Sequence, residues 1–452
     1  MIAASILIVS CIGFPVYAQS DSFQYNDEYN KNIKINGQIT VVDVNRFTWD
    51  PQIFAGFYYD LDSDSGSETL TTSLNDGKLS GSPPYGLTYQ TIAQEKSFRF
   101  EDWGSYSVIG FLGMKCFAGY LEGDDLDKNF LAQKSLDKSS LAKAQLEEVL
   151  MDNDDETTIT SSSPLMLNNG YKLNLKSISI DGNDADIELY KDDRLVDSKK
   201  IQPSKVNAGM AEKTYYYTKN VGDQNNLVII AVHFKNAFMG ADQGIGTIDG
   251  IFQITDEPIS VMPEAVFGKM TISDVTDDRI AMDNRENTIT LSKNKDFLLG
   301  GDLHLLTADQ RVVDDSHPLR YYPCREINQP GNYDIRGEVS TGDFGWDPRH
   351  FAGFYCNPDD DTGTETLSAT IRDDKLSGDD PYGLIYRTTA QKNSFRFQDW
   401  GSYYVIGFLG KKCFAGYAEG LDSEKGLLSE KSSDQSSLSQ RATGGGAPGY
   451  RC

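Results

Sequence analysis

Residues 102–120 read DWGSYSVIGFLGMKCFAGY, and residues 399–417 read DWGSYYVIGFLGKKCFAGY. Each stretch holds two apolar runs, which in the first are Val108 to Leu112 and Cys116 to Tyr120, separated by Gly113. Short apolar and aromatic runs bounded by turn residues predict β-strands of a protein core. The sequence therefore predicts the same pair of core strands twice.

This near-copy is part of a longer internal repeat. Trp49 to Gly123 aligns without a gap with Trp346 to Gly420, at a constant offset of 297 residues and with roughly two-thirds identity. A period of this length is too long for a solenoid repeat or a propeller blade, so it indicates a tandem domain duplication. The first copy continues to Tyr322, whereas the second is followed only by a short stretch with a Gly-rich end. We therefore expect an incomplete second copy, from either a fragment or a truncated gene product.

Strand-like runs continue through the rest of the first copy. Ile178-Ser179-Ile180 and Ile187-Glu188-Leu189 flank an Asp-Gly-Asn-Asp turn, which is typical of a β-hairpin. Residues 126–150 are the one helix-like piece, and their leucine spacing predicts at best a short surface helix. Closely spaced short strands favour an all-β fold of sandwiches, two in each complete copy. The predicted divisions are a signal peptide at 1–18, a complete domain at 33–323 with an internal boundary near 157–164, a linker at 324–331, a partial second domain at 332–440 and a low-complexity tail at 441–452.

The charge excludes several classes of partner. Asp and Glu number 67 against 42 Lys and Arg, which gives a formal net charge of −25. Nucleic acid and anionic membrane surfaces attract basic patches, so neither is an expected partner. A strongly acidic surface suits solubility or the attraction of cations.

The amino terminus predicts export. Ala3 to Phe14 form an uncharged apolar run, and Val16-Tyr17-Ala18 resembles a signal-peptidase site. The sequence around Cys11 also fits a lipoprotein site, so cleavage after Ala18 and acylation of Cys11 are alternatives. No other stretch reaches the roughly 18 apolar residues that a transmembrane helix needs. The predicted location is therefore outside the cell, with no membrane span in this sequence.

The sequence lacks the common catalytic motifs. His233, His304, His317 and His350 are scattered, and no HExxH, GxSxG elbow or P-loop is present. After removal of residues 1–18, five cysteines remain without a CxxC spacing, which argues against a zinc ribbon or a dense disulfide framework. We expect a protein that is not an enzyme and requires no cofactor.

Two acidic stretches are candidate loops for calcium or another divalent cation. Asp60, Asp62, Asp64 and Glu68 place carboxylates at alternate positions around Gly66, as oxygen-ligand calcium loops do. The second copy retains Asp359, Asp361 and Glu365 but has Asn357 at the first position. The spacing departs from the EF-hand pattern, and the alternative is an acidic hairpin tip without a metal.

The aromatic residues of the repeat also allow two interpretations. At β spacing they are typical of a sandwich core, but a row of them on a surface forms a platform for carbohydrate. The set in the first copy is Trp49, Phe54, Phe57, Tyr58, Tyr89, Phe98, Phe100, Trp103, Tyr106, Phe111, Phe117 and Tyr120.

Several separated blocks, in one order, resemble a known family. They include Phe54 to Asp60, Ser67 to Leu70, Gly86 to Thr91, Val108 to Phe111, Ile187 to Asp197, Val232 to Ala241, Ile248 to Ile251 and Leu319 to Pro323. Together they resemble the duplicated domain of S-layer proteins from methanogenic archaea of the Methanosarcina type, over residues 33–323 and again over 332–420.

The resemblance implies tandem S-layer domains, each of two joined β-sandwiches, in a protein that self-associates into a two-dimensional lattice on the cell surface. It also implies acidic pores, a stalk and a carboxyl-terminal membrane anchor. We expect this chain to depart from the pattern in three ways, with an incomplete second domain, without the stalk and anchor, and without an Asn-x-Ser/Thr sequon. The rival interpretations are a secreted adhesin or carbohydrate-binding β-sandwich protein that forms no lattice, and a secreted hydrolase with an unrecognised acidic pair.

Overall fold

The protein is described by a computed structural model that covers residues 33–75, 77–80, 84–122, 128–180, 183–327, 336–340, 342–360, 362–376, 382–418 and 427–431. The predicted signal peptide, the alternative acylation site at Cys11 and the predicted tail at 441–452 lie outside these ranges. We call residues 33–327 the first segment and residues 336–431 the second segment.

The first segment is built from short strands and a few turns of helix. Its strands are β1 Ile33–Asn36, β2 Thr40–Val41, β3 Arg46–Trp49, β4 Thr69–Ser73, β5 Lys78–Leu79, β6 Gly86–Ile92, β7 Gln94–Ser97, β8 Ser105–Phe111, β9 Met114–Tyr120, β10 Gln145–Asn153, β11 Thr157–Thr160, β12 Leu165–Met166, β13 Tyr171–Ile178, β14 Ala185–Lys191, β15 Arg194–Ile201, β16 Thr214–Val221, β17 Gln224–Met239, β18 Gly244–Ile254, β19 Ile259–Ser260, β20 Val266–Phe267, β21 Met270–Val275, β22 Arg279–Asp283, β23 Ile289–Thr290, β24 Asp296–Gly300, β25 Leu303–Thr307 and β26 Arg320–Ile327. Its helices are α1 Phe130–Lys134 and α2 Met210–Lys213, with 3-10 turns at Glu101–Trp103 and Leu141–Lys143.

The second segment repeats this pattern on a smaller scale. Its strands are β27 Phe344–Trp346, β28 Cys356–Asn357, β29 Thr362–Gly363, β30 Glu365–Thr370, β31 Gly383–Thr388, β32 Gln391–Ser394, β33 Ser402–Phe408 and β34 Lys411–Ala418, with a 3-10 turn at Gln398–Trp400 and helix α3 Leu427–Glu430.

Strand pairing in the described residues is antiparallel, and the predicted all-β fold is confirmed. The largest sheet runs in the order β16-β17-β18-β10-β9-β8-β7, with β11 beside β18 and β19 beside β10. Three further sheets of the first segment run β20-β21-β22-β6-β4-β3, β12-β13-β14-β15 and β1-β26-β25-β24. In the second segment the main pairings are β27-β30-β31 and β32-β33-β34.

The repeated strand pair, β8 and β9 in the first segment, lies between two hydrophobic cores. Side chains alternate between the two faces of a strand. Tyr106 and Val108 of β8 lie in one buried cluster, whereas Ile109 and Phe111 lie in the other. The neighbouring strand β9 divides its side chains in the same way, and Phe117 joins the first cluster. Both faces of this hairpin are therefore buried, which explains its continuous apolar sequence.

The internal boundary predicted near 157–164 stays a prediction, and part of that stretch is strand. Thr157–Thr160 form strand β11 and pair with residues 245–248 of β18, in the same sheet as β8 and β9. One core takes residues from 98–132 and 159–254, and the other takes residues from 49–118, 141–146 and 261–321. The chain thus leaves the second of these cores and returns to it, because the strands of the first core are inserted between its parts.

The structure confirms one other local prediction and corrects a second. The predicted hairpin is confirmed, since Ile178 of β13 pairs with Ala185 of β14. The short helix predicted within 126–150 is present as α1, but its predicted surface location is wrong, because Phe130, Leu131 and Ala132 are buried. Residues 145–150 belong to strand β10 instead.

The two ends of the first segment lie side by side. Strand β1 pairs with β26, with Ile33 opposite Ile327 and Asn36 opposite Cys324. Part of the predicted linker at 324–331 is therefore strand, since Cys324 to Ile327 complete β26. The remaining positions, 328–331, lie outside the described residues.

Candidate functional site

The first acidic stretch forms a tight turn ahead of strand β4. Asp60 is buried, whereas Asp62 and Asp64 are exposed. One carboxylate oxygen of Asp60 accepts hydrogen bonds from the backbone N–H groups of Asp62 (3.0 Å) and Ser63 (3.1 Å), so Asp60 closes the turn with its own side chain. The hydroxyl of Tyr59 donates to Asp64.

A lysine from a neighbouring strand neutralises Asp60. The ammonium group of Lys96 on β7 is ion-paired with Asp60. Burial raises the pKa of Asp60, but the hydrogen bonds from Lys96 and from the backbone of Ser63 outweigh burial and lower this pKa to about 2. Asp60 is therefore a structural carboxylate that already holds a cation of the protein itself.

Glu68 lies away from the turn, in the core. It has no exposed surface, and its Oε2 atom accepts a hydrogen bond of 2.7 Å from the backbone N–H of Tyr58. Its Oε1 atom accepts hydrogen bonds of 2.8 Å from the Tyr89 hydroxyl and from the backbone N–H of Gly113. The Tyr89 hydroxyl in turn accepts a hydrogen bond from the backbone N–H of Leu112 (3.0 Å). One carboxylate thus joins the acidic turn, strand β6 and the turn between β8 and β9.

We call a buried glutamate with these three donors a carboxylate anchor. The second segment repeats this anchor at the offset of 297 residues. Glu365 is also fully buried and accepts hydrogen bonds from the backbone N–H of Tyr355 (2.7 Å), the Tyr386 hydroxyl (2.7 Å) and the backbone N–H of Gly410 (2.9 Å). The backbone N–H of Leu409 again donates to the tyrosine hydroxyl. Each repeat copy therefore contains the same buried carboxylate with the same kinds of donor.

Burial of the Glu68 carboxylate shifts its pKa, and the strand that passes closest to it has room only for glycine. Burial raises the pKa of Glu68 to about 7, although the hydrogen bonds from Gly113, Tyr58 and Tyr89 act in the opposite direction. A Cβ atom at Gly110 would lie 2.5 Å from Oε2 of Glu68, and a Cβ atom at Gly407 would lie 2.5 Å from Oε2 of Glu365. Glycine is therefore required where strand β8, or β33, passes the carboxylate.

The structure separates the residues of the predicted cation loops. Glu68 and Glu365 are each occupied by three donors of the protein. Asp359 accepts a hydrogen bond from the backbone N–H of Asp309 (2.7 Å), and Asp361 lies outside the described residues. Cation binding at these turns stays a prediction, and in the described residues it now rests on the exposed carboxylates of Asp62, Asp64 and Asp359.

Another set of ligand-type side chains does converge in the described part of the chain. The carboxylate oxygens of Asp296 and Glu326 and a ring nitrogen of His304 all lie within 4.8 Å of one another. Sequence reasoning missed this set because its members lie on three different strands and follow no motif. Only the register of β24, β25 and β26 brings them together.

Each histidine is paired with an aspartate through its Nδ1 atom. The Nδ1–Oδ1 distances are 2.5 Å for His233 with Asp249, 2.6 Å for His304 with Asp296, and 2.9 Å for both His317 with Asp314 and His350 with Asp347. His233 is buried against the ring of Phe100, with 4.1 Å between the ring centroids. Burial lowers the pKa of His233 although Asp249 acts in the opposite direction, so the site favours a neutral imidazole.

The aromatic residues of the first segment form its cores. Ten members of the predicted set are buried, and Tyr58 and Phe100 are partly buried against one cluster. The Trp103 indole N–H donates to the Thr214 hydroxyl (3.1 Å). The core interpretation is therefore confirmed for the first segment.

Three side chains of the second segment at equivalent positions are exposed. Phe397 is 60% exposed, Trp400 42% and Phe414 47%, whereas their counterparts Trp103 and Phe117 in the first segment are 3% and 0% exposed. In the first segment, strands β16 to β18 cover these positions, and Phe252 lies against Phe117. We call Phe397, Trp400 and Phe414 the aromatic face of the second segment; helix α3 lies beside the turn that carries Trp400, and the described residues leave all three side chains partly exposed.

The two segments touch through arginine side chains and backbone carbonyls. Arg311 donates to the carbonyl of Ser394 (2.6 Å), and Arg320 donates to the carbonyl of Asp359 (3.0 Å). Arg336 donates to the carbonyl of Pro51 (2.7 Å) and lies over the ring of Tyr59, 4.5 Å from its centroid. Together with the hydrogen bond from Asp309 to Asp359, these polar contacts join the second segment to the first.

The helices of the described ranges are short. None of them has the length and the apolar character needed to span a lipid bilayer.

Comparison with known proteins gives a consistent result along the chain. A family model described as "S-layer protein" matches residues 38–309 and 336–441. The second match begins near the start of the second segment, so both segments carry the family's sequence pattern.

Three curated relatives share the printed name "Major S-layer protein". The protein of Methanosarcina mazei is 30% identical over 425 residues, and that of Methanosarcina acetivorans is 30% identical over 424 residues; each alignment covers 91% of this chain and 57% of the relative. The protein of Methanosarcina barkeri is 27% identical over 422 residues, with 90% of this chain and 58% of the relative covered. The chain thus spans somewhat more than half the length of these relatives.

Proposed function

The chain belongs to the S-layer protein family, and we propose that it is a non-enzymatic structural protein that associates laterally into a lattice on the outer surface of the cell. The observation that carries this proposal is the match of both segments to one family, in a chain whose relatives are named as major S-layer proteins. The all-β architecture supports it, because antiparallel sandwiches with short loops suit a rigid building unit.

The aromatic face of the second segment is a surface that further polypeptide would cover. Contiguous exposed aromatic side chains are unusual on a monomeric protein and mark surfaces that a protein partner covers. Phe397 and Trp400 pack on each other, with 5.1 Å between their ring centroids, so they present one patch rather than two isolated rings. In the first segment strands β16 to β18 cover the equivalent positions, so we propose that polypeptide of the same domain type, from this protein or from a neighbouring copy, covers this patch.

The acidic turns suit a perforated layer. Asp62, Asp64 and Asp359 are exposed, and the chain carries a net charge of −25. Pores lined by such turns would concentrate cations and hinder anions, in a way that added salt weakens. The proposed pores are tested by comparing the passage of a cationic and an anionic dye of equal size through assembled sheets at low and high salt.

Electron cryotomography of envelopes from cells that produce a gold-labelled form of this chain tests the lattice. The expected result is label at the repeat of a two-dimensional array. Label scattered over the surface without periodic order would overturn the proposal. The variant Trp400→Ala is expected to reduce incorporation into the array, while Trp400→Phe, which keeps an aromatic ring, is expected to retain more of it.

The exposed tryptophan also favours a second candidate, a secreted adhesin or carbohydrate-binding protein. An exposed ring pair such as Phe397 and Trp400 can stack against a sugar. Binding of the full chain to one sugar on a glycan array, lost in Trp400→Ala, would favour this candidate. Absence of binding to any sugar would favour the lattice.

A further inference from the structure

A compact group of side chains lies on one face of the sheet β1-β26-β25-β24. Asp296 begins β24, His304 is the second residue of β25, and Glu326 is the last but one of β26. Their potential ligand atoms all lie within 4.8 Å of one another, and His304 Nδ1 is 2.6 Å from Asp296 Oδ1. The group is separate from the acidic turns and from the anchors at Glu68 and Glu365.

The strand register holds these three residues in place. His304 is opposite Leu298 on one side and opposite Cys324 on the other. Residues two apart along a strand share a face, so Asp296 is on the face of Leu298 and Glu326 is on the face of Cys324. Three neighbouring strands therefore contribute one ligand-type side chain each to a common face.

The surroundings add one cation and one unsatisfied acceptor. The ammonium group of Lys34, on β1 opposite Glu326, is ion-paired with Glu326. Asn36, two residues further along β1 on the same face, has a buried Oδ1 atom without a hydrogen-bond partner. With a neutral imidazole, Asp296, Glu326 and Lys34 leave the group with a net negative charge.

We propose that Asp296, His304 and Glu326 form a binding site for a divalent transition-metal ion of the zinc type. One imidazole nitrogen and two carboxylate oxygens are a ligand set that zinc accepts, with a further position left for water. Calcium prefers oxygen ligands alone, so the imidazole makes this site chemically distinct from the acidic turns. The ion takes the place of the proton between His304 and Asp296, and it displaces the ammonium group of Lys34 from Glu326.

The pairs at His317 and His350 differ from the pair at His304. His317 and Asp314 are separated by 2.9 Å, but in the described residues they are not joined by a third ligand-type group. His350 has Asp347 at Nδ1 and Glu338 3.8 Å from Nε2, so its two carboxylates face opposite ring nitrogens and cannot share one ion with a single nitrogen. These pairs serve as internal controls.

Isothermal titration of the full chain with zinc tests the site. We expect one site that is tighter than the background from surface carboxylates, and at least a tenfold loss of affinity in His304→Ala. The matched control His317→Ala is expected to bind as the parent chain does. Equal zinc affinity in the two variants, or calcium binding as tightly as zinc at this site, would overturn the proposal. If His304→Ala fails to fold by circular dichroism, Asp296→Asn takes its place.

A further variant separates a metal site from a simple network of hydrogen bonds and ion pairs. Lys34→Met removes the ammonium group that competes with the metal for Glu326, so it is expected to tighten zinc binding severalfold. A purely structural role predicts lower thermal stability with no change in zinc affinity, and that outcome would contradict the proposal. Cobalt provides a spectroscopic readout, with a visible absorption band expected in the parent and in Lys34→Met but not in His304→Ala.

Discussion

The Glu68 carboxylate accepts a hydrogen bond of 2.8 Å from the Tyr89 hydroxyl in the interior of the first segment. Glu365 and Tyr386 repeat this pair at 2.7 Å in the second segment. A buried carboxylate without a neighbouring lysine or arginine in hydrogen-bond contact is costly. Its recurrence shows that both copies depend on the same polar link between the acidic turn and the hairpin of β8 and β9, or of β33 and β34.

Glu68→Gln is expected to destabilise the first segment by about 2–3 kcal/mol. A carboxyl oxygen keeps a lone pair whether or not it is protonated, whereas the amide nitrogen of Gln would face the N–H of Tyr58 as a second donor. Urea unfolding of the full chain measures the change. The exposed Glu95→Gln is the control and should stay within about 0.5 kcal/mol of the parent; equal effects of the two variants would contradict the anchor role.

The stability of the chain is expected to fall as pH rises from about 4.5 to about 7. Burial raises the pKa values of Glu68 and Glu147 to about 7, from an ordinary value of 4.5. The folded chain then binds more protons than the unfolded chain in this window, so raising the pH favours unfolding. Unfolding free energies measured at half-unit steps test this, and the pH dependence should weaken in Glu68→Gln. A stability that rises throughout the window would contradict it.

Below this pH window the opposite dependence is expected, and stability falls as the pH falls. Burial raises the pKa of Asp256, but hydrogen bonds from Lys219, Lys191 and Tyr171 outweigh burial and lower this pKa to about 2. Stability from this network is therefore present above about pH 4 and is lost as the pH falls towards 2. Acid unfolding of Asp256→Asn is expected to depend less on pH in this range than that of the parent; an unchanged acid transition would argue against the network.

Trp103→Ala and Trp400→Ala form a matched pair, because the two residues occupy equivalent positions in the repeat. Loss of the buried Trp103 is expected to cost about 3–5 kcal/mol, since transfer and cavity costs add. Loss of Trp400, which is 42% exposed, is expected to cost clearly less. Differential scanning calorimetry of the full chain measures both, and a melting temperature of Trp103→Ala within about 3 °C of the parent would contradict the buried assignment.

Gly110→Ala is expected to destabilise the first segment by about 2–3 kcal/mol through overpacking against Glu68. Gly345→Ala is the control, because the nearest atom to its added Cβ would be the Ser368 hydroxyl oxygen at 3.9 Å. The cost of Gly110→Ala should shrink when Glu68 is also replaced by Ala, since the clashing carboxylate is then absent. Additive costs in this double-mutant cycle would show that the strain lies elsewhere.

Much of the local structure could be predicted from the sequence. The apolar runs around Gly113 form strands β8 and β9, and strands β13 and β14, on either side of the predicted turn, pair with each other. The role of Glu68 could not be predicted from the turn alone, because one of its donors, Gly113, is 45 residues away in the chain. A signal was present, since the second copy keeps Glu365 although Asn357 replaces the first loop aspartate. If the loop bound a metal ion through both residues, the second copy would be expected to keep a carboxylate at both positions.

The group at His304 shows a different limit. Its carboxylates lie 8 positions before and 22 positions after the histidine, and nothing in that spacing resembles a ligand motif. Pairing of β24 with β25 and of β25 with β26 determines the group, and strand register is a property of the whole sheet. The acidic and Ser/Thr-rich stretch near 157–164 also shows how local sequence leaves two interpretations open, because the polar sequence of strand β11 suits a linker as well as a strand.

The antiparallel pairing of β1 with β26 has a mechanical consequence. Because Ile33 and Ile327 are opposite each other, the chain enters and leaves the first segment at one point. A force applied to the two ends would break the hydrogen bonds between these strands one after another, starting at Ile33 and Ile327. The rest of the folded segment would not be stretched. In the proposed lattice under osmotic tension, a force transmitted along the chain would therefore pass through β1 and β26. The rest of the first segment would not carry that force, and its interior would keep its shape.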